Sequence, residues 1–399
     1  MFWGHLPDEI LLLVFQFLHD SDLCKASTVC RKWRRVYHEP CLWRSRTFEF
    51  RGYCRSHPQR LEMLGIYADT MGKYLQEIRI VCPSPNLLTA NNVAKCVHTL
   101  LSKLTCLKYG QEMIRSLTIN NLYFNDTWSS FRSSKCLLVD SLSVFLETQR
   151  ALENVDISEA YMTPPFSYRI IKSLTNSRSA RRLERLNLIN FYFYEMTTYT
   201  AGKQIRNLCR KCWNLSELSL NYSYLLAAKV VDVCELLFDC LQVLTVHMSA
   251  FDFSSPWLII TSDNWRLALR VIPKLKVIVE LEGWPRDLTT LLVPGIPLTK
   301  LSVFGGQCCH SCMKFGEKLS LYLDHLARHF SGTLESASFV AGVSNVYSPP
   351  RKDALVNFFT KCRRLSHVHF SSALMCAELV AEVKGEITNE NVSISIVQK

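Results

Sequence analysis

Apolar positions change period along the chain. Near the start, Leu6-Pro7-Asp8-Glu9-Ile10 opens a helix: proline suits the first turn, where its missing N–H would be unpaired anyway, and Asp8 and Glu9 oppose the positive end of the helix dipole. A second short helix is predicted from Asp22 to about Thr28, capped by Ser21 or Asp20. A third, about Cys30 to Tyr37, carries Arg31, Lys32, Arg34 and Arg35 around Trp33 and ends before Glu39-Pro40. So small a module hides too little of its own apolar surface. Some of Ile10, Leu13, Val14, Phe17 and Leu18 must face a partner or the rest of the chain.

Beyond residue 73 a phrase of the form apolar-x-x-apolar-x-apolar recurs, first as Leu75-Ile78-Ile80, Ile114-Leu117-Ile119, Leu152-Val155-Ile157 and Leu183-Leu186-Leu188. It continues as Leu215-Leu218-Leu220, Leu241-Leu244-Val246, Leu298-Leu301-Val303, Leu334-Ala337-Phe339 and Leu365-Val368-Phe370. A tenth copy, from Leu275 through Ile278, has Glu280 at the last apolar place. Between phrases the period becomes helical, as in Ile205-Leu208-Cys209-Cys212, Val230-Val233-Cys234-Leu237 and Leu355-Phe358-Phe359-Cys362. Each unit therefore reads as a short strand followed by an amphipathic helix. Thr47-Phe48-Glu49-Phe50 is predicted to form a cap strand at one end, and Asn391 to Val397 to close the other.

Two families are met in these residues. Leu6-Pro7-x-Glu9-Ile10, Val14-Phe15, Leu18, Leu23, Ser27, Val29-Cys30-Arg31-x-Trp33-Arg34 and Leu42-Trp43 together resemble the F-box. That resemblance implies a three-helix module docking on the Skp adaptor of a cullin-RING ubiquitin ligase, with Leu6, Pro7, Ile10, Val14, Val29 and Trp33 forming or supporting the adaptor-binding surface. The strand-helix units resemble leucine-rich repeats, which implies an α/β fold: a solenoid with a curved parallel sheet inside and helices outside. The ninth place of each repeat, where many relatives carry Asn, holds Leu122, Ala160, Phe191, Ser223, Ser249, Gly283, Gly306, Gly342 and Ala373. The amide ladder of regular repeats is thus expected to be absent and the repeats irregular. The organisation expected is an F-box over 1–50, a connecting segment over 51–72, and about ten repeats with a terminal cap strand over 73–399.

Composition narrows the rest. The 399 residues are 48% hydrophobic and 20% charged with 14 Gly and 14 Pro, a globular make-up, and the net charge is +11. The apolar run from Ile10 to Phe15 is far below the roughly 20 residues of a spanning helix, and no basic segment precedes it, so no membrane partner is expected and the place is cytoplasmic and/or nuclear. Seventeen cysteines without an export signal read as reduced thiols.

Two C-x-x-C pairs, Cys209/Cys212 and Cys309/Cys312, would stand three strands apart, roughly 15 Å at about 4.8 Å per strand, too far to share one zinc. Cys212 and Cys362 fall on apolar helix stripes and read as core residues. The cluster Cys308-Cys309-His310-Ser311-Cys312 remains the one candidate for metal or redox chemistry. No phosphate-binding, zinc-protease, nucleophile-elbow or dinucleotide motif is present. Neither a catalytic residue, nor a metal ligand, nor a cofactor is therefore assigned.

The basic residues Arg178, Arg181, Arg182, Arg185, Arg206, Arg210 and Lys211 read as a solvated rim, with no nucleic-acid module around them. In Phe191-Tyr192-Phe193-Tyr194, four successive aromatics cannot share one core, so Tyr192 and Tyr194 are candidate contact anchors. The strand pleat turns residues between the apolar ones to the opposite face. That face is the expected substrate site, carrying Arg79, Asp156, Arg185, Asn187, Lys300, His367 and His369. The function these readings imply is the non-enzymatic substrate-recognition subunit of an SCF-type ligase, holding the Skp adaptor at one end and an unknown protein substrate on the repeats. The alternatives are an adaptor-bound scaffold without degradation and a metal or redox protein using the Cys308–Cys312 cluster.

Overall fold

The computed structural model describes residues 6–18, 20–50, 57–82, 90–107, 113–124, 132–193, 198–249, 259–285, 287–305, 315–341, 348–387 and 392–397. Helix α1, Asp8–Gln16, starts behind Pro7. Helix α2, Asp20–Ser27, begins two residues before the expected Asp22, so Asp20 lies in its first turn and does not cap it. Helix α3, Arg31–Tyr37, takes Cys30 as its cap, with the Cys30 Sγ accepting the Trp33 N–H at 3.5 Å.

These helices close on Leu11, Phe15, Leu23, Ala26, Val36, Leu42 and Trp43, and the same cluster includes Met71, with Tyr67 packed against it, from helix α4, His57–Met71. Trp43 is its pivot. Its indole Nε1 donates to the Tyr37 carbonyl at 2.6 Å, and its ring lies edge-on to Tyr37 and Tyr67 at 4.9 and 5.9 Å. The short helices thus complete their core with the first helix of the next region, which supplies the burial they lack alone.

The chain forms two compact units, Met1–Leu183 with Phe191–Tyr194, and Glu184–Asn190 with Glu195–Lys399. In the first, strands β1 (Ser45–Glu49), β2 (Glu77–Val81), β3 (Ser116–Asn120) and β4 (Asn154–Asp156) pair in parallel in chain order. They alternate with α4, α5 (Ala90–Cys106), α6 (Arg132–Thr148) and α7 (Pro164–Asn176).

In the second unit β5 (Arg185–Asn187), β6 (Glu217–Asn221), β7 (Val243–Met248), β8 (Lys276–Glu282), β9 (Leu298–Gly305), β10 (Ser336–Ala341), β11 (His367–Ser371) and β12 (Ser393–Val397) do the same. Its helices are α8 (Thr198–Lys211), α9 (Tyr222–Ala228), α10 (Val230–Leu236), α11 (Ser262–Val271), α12 (Phe315–His329), α13 (Lys352–Lys361) and α14 (Ala377–Lys384). The fold is an α/β strand-helix repeat, and β1 and β12 stand where cap strands were expected.

Every apolar residue of the nine phrases is buried, which is the repeat pattern expressed as a core. The helix stripes behave likewise: Ile205, Leu208, Cys209 and Cys212 are all inaccessible, as are Leu355, Phe358, Phe359 and Cys362. The tenth copy differs from its expected reading. Val277, Val279 and Leu281 are the buried residues, while Ile278 and Glu280 face the other way, next to a register shift between Val277 and Ile278 where β8 meets β9. Glu280 is therefore no exception to the core pattern but a residue of the opposite face.

The amide ladder is reduced to one rung among the described residues. Asn221 Nδ2 donates to Asn190 Oδ1, and Asn190 N–H donates to Asn221 Oδ1, each at 2.7 Å, with both side chains buried. Neither asparagine sits at the ninth place of its repeat, so the position test used on the sequence passed over them.

Candidate interaction surfaces

Helix α1 is apolar on two sides. Leu11 and Phe15 point into the core and are 0% and 1% exposed, whereas Ile10, Leu13, Val14 and Phe17 are 43, 52, 37 and 85% exposed. The latter fall at i, i+3, i+4 and i+7, one continuous stripe. Val29, in the turn after α2, adds another exposed apolar side chain. Of the six adaptor residues named from the sequence, Pro7, Ile10, Val14 and Val29 are exposed, while Leu6 and Trp33 are half-buried and pack on the core. Leu6 and Trp33 are thus supports of the surface. Leu13 and Phe17 complete it.

The N-terminal end of α1 is held from α3. Asp8 pairs with Arg35 and, at 3.6 Å, with Lys32, whose ammonium also donates to the Leu6 carbonyl. The exposed stripe therefore stands on a helix fixed from behind by aromatic packing and from its start by two cations.

In each unit by itself, the strand residues between the buried ones lie on the more exposed face of the strands. Arg79, Arg185, Lys300, His367 and His369 are exposed there, and Asp156 and Asn187 half-buried. Several are already engaged. Arg79 Nε donates to Asn120 Oδ1 at 3.1 Å, and Arg185 stands 3.9 Å from Glu217. Asp156 Oδ1 accepts the Ser158 N–H at 3.0 Å and Asn187 Oδ1 the Ile189 N–H at 3.1 Å, so both hold the turn two residues on.

Tyr192 does not belong to this surface: it is fully buried with Phe191, pairing as a bridge with Met162, and cannot reach a partner. This isolated parallel bridge, five residues past the end of β5, holds Tyr192 inside, which a count of consecutive aromatics does not reveal. Tyr194 and the Cys308–Cys312 cluster lie outside the described residues.

The same face holds a group that sequence reading missed. His247 on β7 is 4% exposed, with Nδ1 3.8 Å from a Glu280 carboxylate oxygen and Nε2 3.5 Å from one of Glu282, both on β8, and the Phe304 ring at 6.2 Å. Burial opposes its charge, but the two glutamates outweigh that and raise its pKa from 6.5 to about 9. His247 in turn draws the Glu282 carboxyl below its ordinary value. The signal was Glu280 at an apparently apolar place.

Burial pushes the thiols of Cys82, Cys212, Cys234 and Cys362 up to about 12, and that of Cys209 higher still, the state of packed and unreactive cysteines. Among the described residues no group of three or more His, Cys, Asp or Glu could hold a metal ion, and no helix is long and apolar enough to cross a membrane.

Residues 3–49 match the F-box-like family. The chain is also 24% identical over 314 residues to F-box/LRR-repeat protein 21 of Bos taurus, a stretch covering 75% of this chain and 64% of the relative. Residues 3–49 thus match an F-box-like module, and the chain is similar to F-box/LRR-repeat proteins. The Mus musculus protein of the same name is 26% identical over 57% of this chain and 48% of its own. F-box only protein 31 of Homo sapiens is 36% identical over 75 residues, which are 18% of this chain and 14% of that one.

The chain thus spans 64% of the length of the bovine relative. Two solved structures are similar at TM-scores of 0.40 and 0.38. One is the leucine-rich repeat-containing protein LegL7 from Legionella pneumophila, at 11% identity with 89% of this chain and 91% of that one covered. The other is the Rad7 and Elc1 complex in yeast, at 13% identity with 97% and 87% covered. F-box/leucine-rich-repeat proteins are in general non-catalytic adaptors, and F-box proteins bind Skp1-type adaptors.

Proposed function

We propose that this F-box/leucine-rich-repeat protein is the substrate-recognition subunit of an SCF-type ubiquitin ligase, working in the cytoplasm or nucleus. It docks on the Skp adaptor through the α1 stripe and captures a protein substrate on its repeats. The observation that carries the reading is the exposed row Ile10, Leu13, Val14 and Phe17 on a helix whose other side is already committed to a core. A stripe of that kind on the family's adaptor-binding module is costly to leave in water and suits burial against an apolar partner. The protein itself performs no chemistry: it raises the local concentration of substrate beside the transferring subunits, and its contribution to rate is proximity.

The test is co-purification from cells of the tagged full chain with the Skp adaptor and cullin, before and after inhibition of cullin activation. The substrate reading expects the adaptor in near-stoichiometric amount, together with proteins that accumulate on the repeats when the ligase is inhibited. Adaptor binding without any accumulating protein identifies a scaffold instead, and absence of the adaptor removes the ligase reading.

A further inference from the structure

All strands of the second unit run the same way, so every turn that leads from a helix into a strand lies on one edge of its sheet. The turns entering β6, β7, β8 and β11 give that edge a composition of its own. Lys211 and Trp213 stand before β6, Phe238 before β7, Lys274 before β8, and Arg363 and Arg364 before β11, all exposed. Asp239 is the one carboxylate in these four turns among the described residues. The Cys240 thiol donates to Asn214 Oδ1 at 3.4 Å, which ties the Trp213 turn to the Phe238 turn. Two rings, 59 and 58% exposed, therefore stand on neighbouring turns.

Helix dipoles do not account for this edge, because a helix C-terminus favours cations only within its last turn. Lys211 lies in such a turn, but Lys274, Arg363 and Arg364 stand beyond the ends of α11 and α13. None of these four cations has an ion pair or a side-chain hydrogen bond among the described residues. The carboxylates next to the edge, by contrast, are engaged: Glu217 is 3.9 Å from Arg185, and Glu335 pairs with Lys276 at 3.4 Å. The edge thus combines positive charge that nothing in the unit neutralises with an aromatic pair of the kind that anchors protein contacts.

We infer that this edge binds an acidic segment of a partner protein that carries an aromatic residue at one end. The surface is separate from the strand face proposed for substrate capture and does not depend on that reading. From the turn before β6 to the turn before β11 is five strand steps, about 24 Å, which about seven extended residues span. Carboxylates along such a segment would meet Lys274, Arg363 and Arg364, while its terminal ring packs on Trp213 and Phe238. A single-stranded polynucleotide needs stacking platforms along the whole track, and here both rings sit at one end while the turns before β8 and β11 hold none. A lipid surface needs a broad apolar face to enter the interface, which two rings on neighbouring turns do not make.

The test uses the purified full chain and fluorescein-labelled decapeptides read by fluorescence anisotropy: alternating glutamate and serine ending on tryptophan, the same ending on alanine, and the lysine counterpart of the first. The glutamate peptide ending on tryptophan should bind at least tenfold more tightly than the lysine peptide and at least threefold more tightly than the alanine-ended one. The double variant Lys274→Glu with Arg364→Glu should lose at least tenfold in affinity at unchanged melting temperature. Trp213→Ser with Phe238→Ser should abolish the preference for tryptophan over alanine and keep the preference for glutamate over lysine. Lys203→Glu with Lys300→Glu makes the same change in net charge away from the edge and should stay within threefold of the native chain. Equal losses in the two charge-reversed proteins, unchanged binding in Lys274→Glu with Arg364→Glu, or tighter binding of oligouridylate or of phosphatidylserine vesicles than of the glutamate peptide would each overturn the inference.

Discussion

The indole of Trp33 stands edge-on to the ring of Phe15, centroids 5.4 Å apart and planes at 75°. That contact presses α3 against the inner side of α1 and leaves the outer side, with Ile10, Val14 and Phe17, exposed to the proposed adaptor. Aromatic pairs in this geometry add about 0.5–1.5 kcal/mol beyond burial. Trp33→Ala should lower stability by about 2–3 kcal/mol and weaken adaptor binding indirectly. Ile10→Asp and Phe17→Asp should instead abolish adaptor co-purification with little change in thermal unfolding, because their side chains are in water until the partner arrives. Retention of the adaptor by soluble Ile10→Asp and Phe17→Asp proteins would remove the α1 stripe as the docking surface.

Cys212 and Cys362 close apolar helix stripes and are wholly buried. Cys212→Ser and Cys362→Ser each place a hydroxyl among apolar side chains and should cost about 1–3 kcal/mol in denaturant unfolding. With their pKa near 12, both thiols should resist alkylation at pH 8 until the protein unfolds, which mass spectrometry after iodoacetamide treatment reads directly.

His247 makes stability depend on pH in a defined direction. Its pKa is about 9 in the folded protein against about 6.5 unfolded, so the folded state binds the extra proton between these values. The contribution is fully present below pH 6.5 and is lost as the pH rises through 9. The groups facing the ring are Asn221 on β6, Glu280 and Glu282 on β8, and Phe304 on β9. Ion-pair distances of 3.5 and 3.8 Å to partly exposed carboxylates reduce the effect to about 2 kcal/mol. The melting temperature should fall between pH 6.5 and 9.5, and His247→Gln should flatten that slope. An unchanged slope in His247→Gln would show that the ring is not the titrating group.

Gly202 on α8 lies against the end of α9: a Cβ built there would meet the Ala227 carbonyl oxygen at 2.2 Å. Because the obstacle is backbone and not a movable side chain, Gly202→Ala should force the two helices apart at about 2–4 kcal/mol. Gly332→Ala, where nothing lies within 4 Å, is the comparison that should leave the denaturation midpoint near that of the native chain.

The strand phrases and helix stripes were legible in the chain because burial on one face of a strand or helix imposes a local period. From Leu75 to Phe370 each of the nine phrases is core. The α1 stripe was legible for a related reason: a short module with Ile10, Leu13, Val14 and Phe17 beyond its core cannot hide them all. What the order of residues did not contain is how neighbouring strands pair.

Ile278 and Val277 are both apolar, and only the pairing of β8 with its neighbours decides which of them is core and sends Glu280 to the face where it meets His247. Tyr192 looked like an anchor and is buried, in an isolated bridge to Met162 that forms beyond the end of β5. The Asn190–Asn221 pair and the row of Lys300, Ser336 and His367 join residues about thirty positions apart, close only through the parallel register. Local periodicity thus determined which residues are inside, and the strand register decided which of the outward ones stand together.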